Sequence, residues 1–161
     1  MNFTTDILPL KNRLYRLALR ITLSHEEAED IVQDTMLKVW SRRDSWDMLE
    51  SIEAYAMTIC RNLSLDHMKR RSAQLLSLDS MPYDRPDNAD DPLQQLAWKN
   101  SIERIKTLMN TMPEKQRTCM QLRDFEGKSY KEIATILSIT EEQVKINIFR
   151  ARKTIKEKIS I

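Results

Sequence analysis

The sequence predicts an all-α protein made of two small helical domains joined by an acidic linker. One glycine and five prolines among 161 residues leave few helix breakers. Apolar residues recur three or four positions apart, and no run alternates apolar and polar residues as a half-buried strand would. The chain is long enough for one large domain or two small ones, and either can bury a core.

A proline-rich, acidic stretch interrupts the helical pattern. Residues 77–92, SLDSMPYDRPDNADDP, contain three prolines and few apolar groups. We therefore expect a front domain at residues 1–72, a flexible linker at residues 73–92 and a back domain at residues 93–161. A long surface loop within a single domain is the alternative.

The charge is distributed unevenly. Residues 1–72 hold 11 basic and 11 acidic side chains, residues 73–98 hold 1 and 5, and residues 99–161 hold 14 and 8, so the net charges are 0, −4 and +6. The basic carboxyl-terminal part is therefore expected to meet a polyanion.

Two of the three helices expected in the front domain have a simple pattern. The first covers about residues 7–22. The second begins after Ser24, which forms a capping-box pattern with Glu27, and runs to about residue 40. The predicted buried stripes are Leu10, Leu14, Leu17 and Ile21 in the first helix, and Ala28, Val32, Thr35 and Val39 in the second.

The outer face of the second helix combines an exposed leucine with carboxylates and an amide. This face consists of Asp30, Gln33, Asp34 and Leu37. A leucine in that setting is typical of a docking surface for another protein, although a merely solvated face fits the pattern equally well.

The third helix, residues 51–71, carries apolar residues on two sides. One stripe is Ile52, Tyr55, Ile59 and Leu63, and the opposite side has Met57, Leu65 and Met68 around Arg61. Such a helix either packs between neighbours or keeps an apolar, cationic face for a ligand.

Aromatic and cationic groups flank this helix. Trp46 lies beside two arginines in the preceding loop, where its ring could stack on an unpaired base or cover the domain's own core. Lys69, Arg70 and Arg71 at the other end complement the helix dipole and can also bind phosphates.

The back domain ends in a helix-turn-helix pattern. Two capping boxes, Ser129 with Glu132 and Thr140 with Gln143, start two short helices and leave about three residues for the corner. Ser138 lies in this corner and is expected to carry a small backbone strain. An ordinary helical hairpin is the alternative.

Two further helices are expected to support this pair, one over residues 93–110 and one from Pro113 to near Gly127, whose glycine supplies a left-handed cap. On the last helix the inward residues are Val144, Ile148, Ala151 and Ile155. The outward residues are Glu142, Gln143, Ile146, Asn147, Phe149, Arg150 and Lys153.

Several function classes find no support in the sequence. It has no apolar run long enough for a bilayer and no signal-peptide layout at its amino terminus, so we expect a soluble, intracellular protein. Cys60, Cys119, His25 and His67 are each isolated, which predicts reduced thiols and no metal site. No nucleophile-base pair or glycine-rich loop is present, so we expect no enzyme, no cofactor and no small-molecule substrate.

Three stretches carry a family resemblance: HEEAEDIVQDTMLKVW, SIEAYAMTICRNLSLDHMKRR and MPEKQRTCMQLRDFEGKSYKEIATILSITEEQVKINIFRARKTIKEKI. In this order and spacing the chain resembles the extracytoplasmic-function (ECF, group IV) class of bacterial RNA polymerase sigma factors. The likeness covers nearly the whole chain, and the two domains together are highly specific although each is weakly specific alone. The last stretch alone would also fit a response regulator.

The resemblance implies roles for both domains. Residues 1–72 would be sigma region 2, which binds core RNA polymerase and opens the minus-10 element, and residues 93–161 would be sigma region 4, which binds the minus-35 element. The polymerase contacts would be Asp30, Gln33, Asp34 and Leu37. The single-strand contacts would be Trp46, Arg61, Asn62, Arg70 and Arg71, with the loop around Trp46 cradling an extruded base.

At the minus-35 duplex, Gln143 and Asn147 would contact base edges. The phosphates would be held by Lys145, Arg150, Arg152 and Lys153. The expected partners are core RNA polymerase, promoter DNA both as duplex and as melted strand, and an anti-sigma factor, all in the cytoplasm. A stand-alone helix-turn-helix regulator is the alternative function.

The chain departs from the family pattern at three positions. Ser138 stands where the turn often has glycine, and Ile146 and Phe149 stand where the recognition helix is usually polar. Ile146 either contacts a thymine methyl group or packs on a neighbouring helix.

Overall fold

The structure is a computed structural model that describes residues 2–78 and 101–159. Every regular element within these two ranges is helical, which confirms the predicted all-α class. Most of the predicted linker, and the start of the helix expected from residue 93, lie outside the described residues.

The front bundle contains three long helices. A π-helical turn, Phe3–Ile7, and a 3-10 turn, Leu8–Leu10, lead into α1, Lys11–Thr22. Helix α2 is His25–Ser41, a 3-10 turn covers Arg43–Met48, and α3 is Ile52–Leu78. The three helices pack against one another, and both stripes predicted for α1 and α2 are buried.

Helix α3 differs from its prediction in two respects. It continues past residue 71 to Leu78, because neither proline nor glycine interrupts that stretch. The prediction that the flexible linker begins at residue 73 is therefore wrong for residues 73–78, which are helical. Its most buried apolar side chains are Ala56, Met57 and Cys60 rather than the predicted stripe, which is half-buried. The cause is that α3 packs on α1 and α2 from one side and on a helix of the back half from another.

Residues 101–159 of the back half contain four helices. Helix α4 is Ser101–Met109, and α5 is Glu114–Met120, continued by a π-helical turn at Gln121–Phe125. Gly127 then adopts a left-handed φ of 70°, as predicted for the end of this segment. Helices α6, Tyr130–Leu137, and α7, Glu141–Ile159, form the predicted helix-turn-helix.

Both predicted capping boxes are present around the corner. The Ser129 hydroxyl accepts from the Glu132 amide and the Glu132 carboxylate accepts from the Ser129 amide, each at 3.1 Å. The side chains of Thr140 and Gln143 make the equivalent bonds at 3.1 and 3.0 Å. Between them Ser138 has φ 57° and ψ 46°, the left-handed conformation in which an L-residue is strained.

The apolar core runs from the front bundle into the back half. Helix α3 packs on α6, and α1 packs on α5. One cluster joins the buried residues of α1, α2 and α3 to Cys119, Leu122, Ile133, Ile136, Leu137, Val144 and Ile148. A smaller cluster of Met109, Met112, Met120 and Ala151 lies among α4, α5 and α7. The two halves are therefore in direct contact in this structure.

Glycine at position 138 should relieve the strain at the corner. We expect Ser138→Gly to raise the free energy of unfolding by about 0.5–1 kcal/mol, since relief of a left-handed L-residue exceeds the entropy cost of glycine. Equilibrium urea unfolding measures the change. Gly127→Ala is the matched opposite: its added Cβ would meet nothing within 4 Å, so backbone strain alone should lower stability by about 1 kcal/mol. Equal shifts in one direction for both variants would contradict this account.

Candidate functional site

The outer face of α2 is open to solvent. Asp30, Gln33, Asp34 and Leu37 are all exposed, while Thr35 on the opposite face is buried. Their spacing of three or four residues makes them neighbours on one side of the helix. We call these four residues the α2 surface; it presents two carboxylates, one amide and one large apolar side chain together.

Trp46 belongs to the core of the front bundle. It is 6% exposed, its indole N–H donates to the Val39 carbonyl at 3.1 Å, and its ring lies edge-on to Trp40 with centroids 6.0 Å apart. The ring therefore covers its own domain, which was the alternative left open by the sequence, and it is not presented to a base here. Met48 on the same turn is 89% exposed, and sequence reasoning missed it.

Arg61 is buried between the two halves. It is 6% exposed, and its Nη2 and Nε donate to the two carboxylate oxygens of Glu114 at 2.9 and 3.3 Å. Its Nη1 also lies 3.4 Å from the Leu137 carbonyl oxygen at the end of α6. Asn62, the next residue, is exposed. The side chain predicted to contact a DNA strand is thus held by the back half.

The two arginines at the basic end of α3 have different environments. Arg71 donates to the Thr22 carbonyl at 2.8 Å and pairs with Glu27 at 2.9 Å, so it caps the end of α1. Arg70 is exposed. Of the residues predicted to hold a melted strand, only Asn62 and Arg70 are open to solvent in this structure.

A polar network connects α1 to the back half. Arg20 Nε donates to Gln121 Oε1 at 2.9 Å, and its Nη1 donates to Asn110 Oδ1 at 2.6 Å. Arg117 donates in return to the Arg20 and Ile21 carbonyls, both at 2.7 Å. Burial lowers the pKa of the Arg20 guanidinium, and the nearby Arg117 cation lowers it further. Two cations thus share this site, with mainly neutral oxygens as acceptors.

Ion pairs surround that network. Arg16 makes two bonds of 2.8 Å to the carboxylate of Glu126. Burial raises the pKa of Glu126, but hydrogen bonds from Arg16 and Gln121 outweigh it, so the pKa lies below its ordinary value and the carboxylate stays ionised at neutral pH. Lys128 pairs with Glu53 of α3. We call the joined contacts of Arg16, Arg20, Arg61, Glu114, Arg117, Gln121 and Glu126 the interdomain joint.

The two cysteines are on different sides of this joint. Both are free and buried, and burial raises the pKa of each thiol to about 12. Cys60 donates to the Leu14 carbonyl inside the front bundle. Cys119 lies on α5, and the charges of Glu114 and Arg61 act on its pKa in opposite directions. Cys119 is therefore a natural reporter for the joint.

The outward face of α7 carries cations. Lys145, Arg150 and Lys153 are exposed, whereas Arg152 donates to the Asp124 carboxylate at 3.2 Å through its Nε. Lys145 lies 5.5 Å from the centroid of the Tyr130 ring. With Gln143, Asn147 and Arg152, these side chains form what we call the α7 surface. All six residues predicted for duplex DNA lie on this one helix, but its rotation of 100° per residue places Lys145 and Arg152 on the opposite flank from Gln143 and Asn147.

The two amides of the α7 surface are partly engaged by their own helix. Gln143 Oε1 accepts from the Thr140 amide, and Asn147 Nδ2 donates to the Gln143 carbonyl at 2.8 Å. Each amide therefore keeps only part of its hydrogen-bonding capacity for another molecule.

Within the described part of the chain, no helix has both the length and the apolar character needed to cross a membrane.

Comparison with protein families gives two matches in sequence order. The family model for Sigma-70 region 2 matches residues 7–74, and the family model for Sigma-70, region 4 matches residues 102–155. The first match contains the α2 surface and most of α3, and the second contains α6 and most of α7. No enzyme family is involved in either match.

Individual proteins are similar over most of the chain. The ECF RNA polymerase sigma factor SigE of Mycolicibacterium smegmatis is 29% identical over 150 residues, which cover 91% of this chain and 57% of SigE. SigM of Bacillus subtilis, also an ECF RNA polymerase sigma factor, is 26% identical over 146 residues, covering 90% of this chain and 87% of SigM. The chain thus spans little more than half the length of the first relative and most of the second.

Two solved structures resemble the described fold. The sigma factor RpoE from Bartonella quintana, in a co-crystal with the anti-sigma factor NepR, has a TM-score of 0.78 and 25% identity, covering 99% of this chain and 97% of RpoE. CnrH, in complex with the cytosolic domain of CnrY, has a TM-score of 0.66 at 18% identity, covering 98% of this chain and 87% of CnrH, and shares the fold.

Truncation of Arg20 should loosen the interdomain joint. We expect Arg20→Ala to speed iodoacetamide labelling of Cys119 about tenfold, because Gln121 and Asn110 lose a buried donor, at a cost of about 1–3 kcal/mol. Labelling is followed by mass spectrometry at each cysteine.

Two controls accompany this experiment. Cys60, within the front bundle, should keep its slow labelling in the same sample. Arg43→Ala also removes an arginine side chain, but the hydrogen bond that is lost, to the Trp40 carbonyl at 3.1 Å, lies within the front half, so Cys119 should stay protected. Equal acceleration at both cysteines would indicate global unfolding and would contradict a separable joint.

Proposed function

Because the chain belongs to the extracytoplasmic-function class of the sigma-70 family, we propose that it binds core RNA polymerase and directs initiation at specific promoters. It would do so by recognising minus-35 and minus-10 elements and by promoting strand opening. The observation that carries the proposal is that regions 2 and 4 match in order on one chain, and that each presents an exposed surface of suitable chemistry.

The α2 surface is assigned to polymerase. Its carboxylates and amide can pair with polar groups of a partner, and the exposed Leu37 supplies the apolar contact that a protein interface buries. It shares no residue with the interdomain joint. Polymerase could therefore engage α2 while the two halves remain in contact.

The α7 surface is assigned to the minus-35 duplex. Its first turns would enter the major groove, with the remaining capacity of Gln143 and Asn147 directed to base edges. Lys145, Arg150 and Lys153 are exposed on the same helix and would bind phosphates. Arg152 would contact phosphate only after its hydrogen bond to Asp124 is broken. We therefore expect it to contribute less to DNA binding than the other three cations.

The minus-10 strand is assigned to α3 and the turn before it. Asn62 and Arg70 are open to solvent, whereas Arg61 and Arg71 must first exchange protein partners for DNA. Trp46 would have to leave the core to stack on a base. Strand recognition by Arg61 therefore requires the interdomain joint to open, and the described arrangement is a resting form.

We place an anti-sigma factor among the partners. RpoE, whose fold this chain shares over 99% of its length, was crystallised with the anti-sigma factor NepR. A protein that stabilises contact between the two halves would keep Arg61 on Glu114 and away from DNA.

The remaining parts of the proposal follow from this role. The division into residues 1–72, 73–92 and 93–161 would let regions 2 and 4 reach two promoter elements. The chain would act in the cytoplasm without a cofactor or a small-molecule substrate. It would not be an enzyme, because phosphodiester chemistry would belong to polymerase.

In vitro transcription tests the function directly. Core RNA polymerase supplemented with the full chain should initiate at a limited set of sites from a genomic template library, and core alone should not. Tight binding of the chain to duplex DNA, with no change in the initiation sites of polymerase, would instead support a stand-alone regulator.

Single substitutions should separate the two exposed surfaces. Asp34→Lys reverses a charge on the α2 surface and should weaken co-elution with core polymerase at least tenfold. Arg150→Ala should leave co-elution unchanged, while it lowers holoenzyme affinity for the upstream element and reduces the salt slope by about one. Matched loss of both properties in either variant would remove the proposed division of labour.

A further inference from the structure

Ile146 lies at the centre of the outward face of α7. It lies two positions after the buried Val144, a rotation of about 200° that places it opposite the core. It is 47% exposed and belongs to neither apolar cluster of the described residues. Packing on a neighbouring helix, one of the two roles open at the sequence level, therefore does not account for this side chain.

The neighbours of Ile146 determine what can reach it. Gln143 lies one turn before it and Arg150 one turn after it on the same side of the helix. Lys153 is exposed two turns after it, and the other exposed neighbours are Glu142, one turn before, and Phe149, one turn after. A surface that covers Ile146 therefore meets two cations beside one carboxylate, which favours a polyanion.

The polar groups beside Ile146 are less available than the sequence implied. Gln143 Oε1 and Asn147 Nδ2 are engaged by backbone atoms of their own segment. The Ile146 side chain makes no hydrogen bonds that would have to be broken. It lies in the second turn of α7, which is where a recognition helix meets base edges. In the major groove the apolar feature of a base edge is the C5-methyl group of thymine.

We propose that Ile146 is a specificity-determining residue that contacts a thymine C5-methyl group within the upstream promoter element. This inference rests on the proposed function, because it needs α7 to lie in the major groove. The contact would add a preference for thymine at one base pair through apolar burial. Any base contacts of the Gln143 and Asn147 amides would act in addition to it.

Two experiments test the proposal: selection of promoter templates by holoenzyme, and removal of one methyl group from the selected DNA. Holoenzyme made from core polymerase and the full chain first selects templates from a library with a randomised upstream element. Wild-type holoenzyme should select thymine at one position, and Ile146→Ala holoenzyme should lose that preference while keeping the rest of the selected sequence.

Deoxyuridine is then placed at the selected position, which removes only the methyl group. Open-complex formation by wild-type holoenzyme should fall about fourfold, the equivalent of about 0.8 kcal/mol for one buried methyl-sized group. Ile146→Ala should show the same reduced level on both templates. Ile102→Ala, which removes an isoleucine of similar exposure, 49%, from α4, should keep the full difference between thymine and deoxyuridine.

The possible results are distinguishable. Initiation by wild-type holoenzyme with no difference between thymine and deoxyuridine would overturn the role of Ile146 and leave the proposed function intact. Weaker assembly of Ile146→Ala with core polymerase, at unchanged base selection, would also overturn it in favour of a protein contact. Absence of initiation from every template would count against the proposed function itself.

Discussion

The contact between the two halves depends on the carboxyl-terminal end of α1. An α-helix leaves its last carbonyls without partners, and a buried helix end needs donors from elsewhere. Arg117 of the back half donates to the Arg20 and Ile21 carbonyls, and Arg71 of α3 donates to that of Thr22. Both arginines place positive charge at the negative end of the α1 dipole. One helix terminus therefore fixes the end of α3 and the position of α5 together.

The interdomain joint combines buried cations with mainly neutral acceptors. Arg20 and Arg117 are buried, but most of their acceptors are neutral oxygens that water can replace when the halves separate. Burial lowers the pKa of both guanidinium groups, because a charge removed from water loses hydration. Opening would recover that hydration while it exposes part of the apolar cluster that links α3 to α6. The closed arrangement is thus a balance between apolar burial and incompletely compensated charge.

Sequence reasoning succeeded where the signal was local. The helix-turn-helix, its two capping boxes and the left-handed Ser138 all follow from residues within one or two turns of each other. It failed where the deciding partner was distant in sequence. The exposure of Arg61 depends on Glu114, fifty-three residues away. Trp46 is a different case, because its partners Val39 and Trp40 lie only six or seven residues away and its burial was one of the two alternatives that the sequence left open. Periodicity could not identify the buried side of α3, because a helix packed on two sides has no single apolar stripe.

The distribution of open and buried residues implies an order of events for the proposed function. The α2 and α7 surfaces are accessible while Arg61 is not, so contacts with polymerase and with duplex DNA can form before strand contacts. A ligand shifts a two-state equilibrium only by its differential affinity for the two states. To shift the equilibrium from 99% closed to 99% open, the ligands must bind the open form more tightly than the closed form by about 5.5 kcal/mol. Because regions 2 and 4 would have to reach separate sites on one polymerase and one promoter, the geometry of that assembly, rather than any single contact, would supply this preference for the open form.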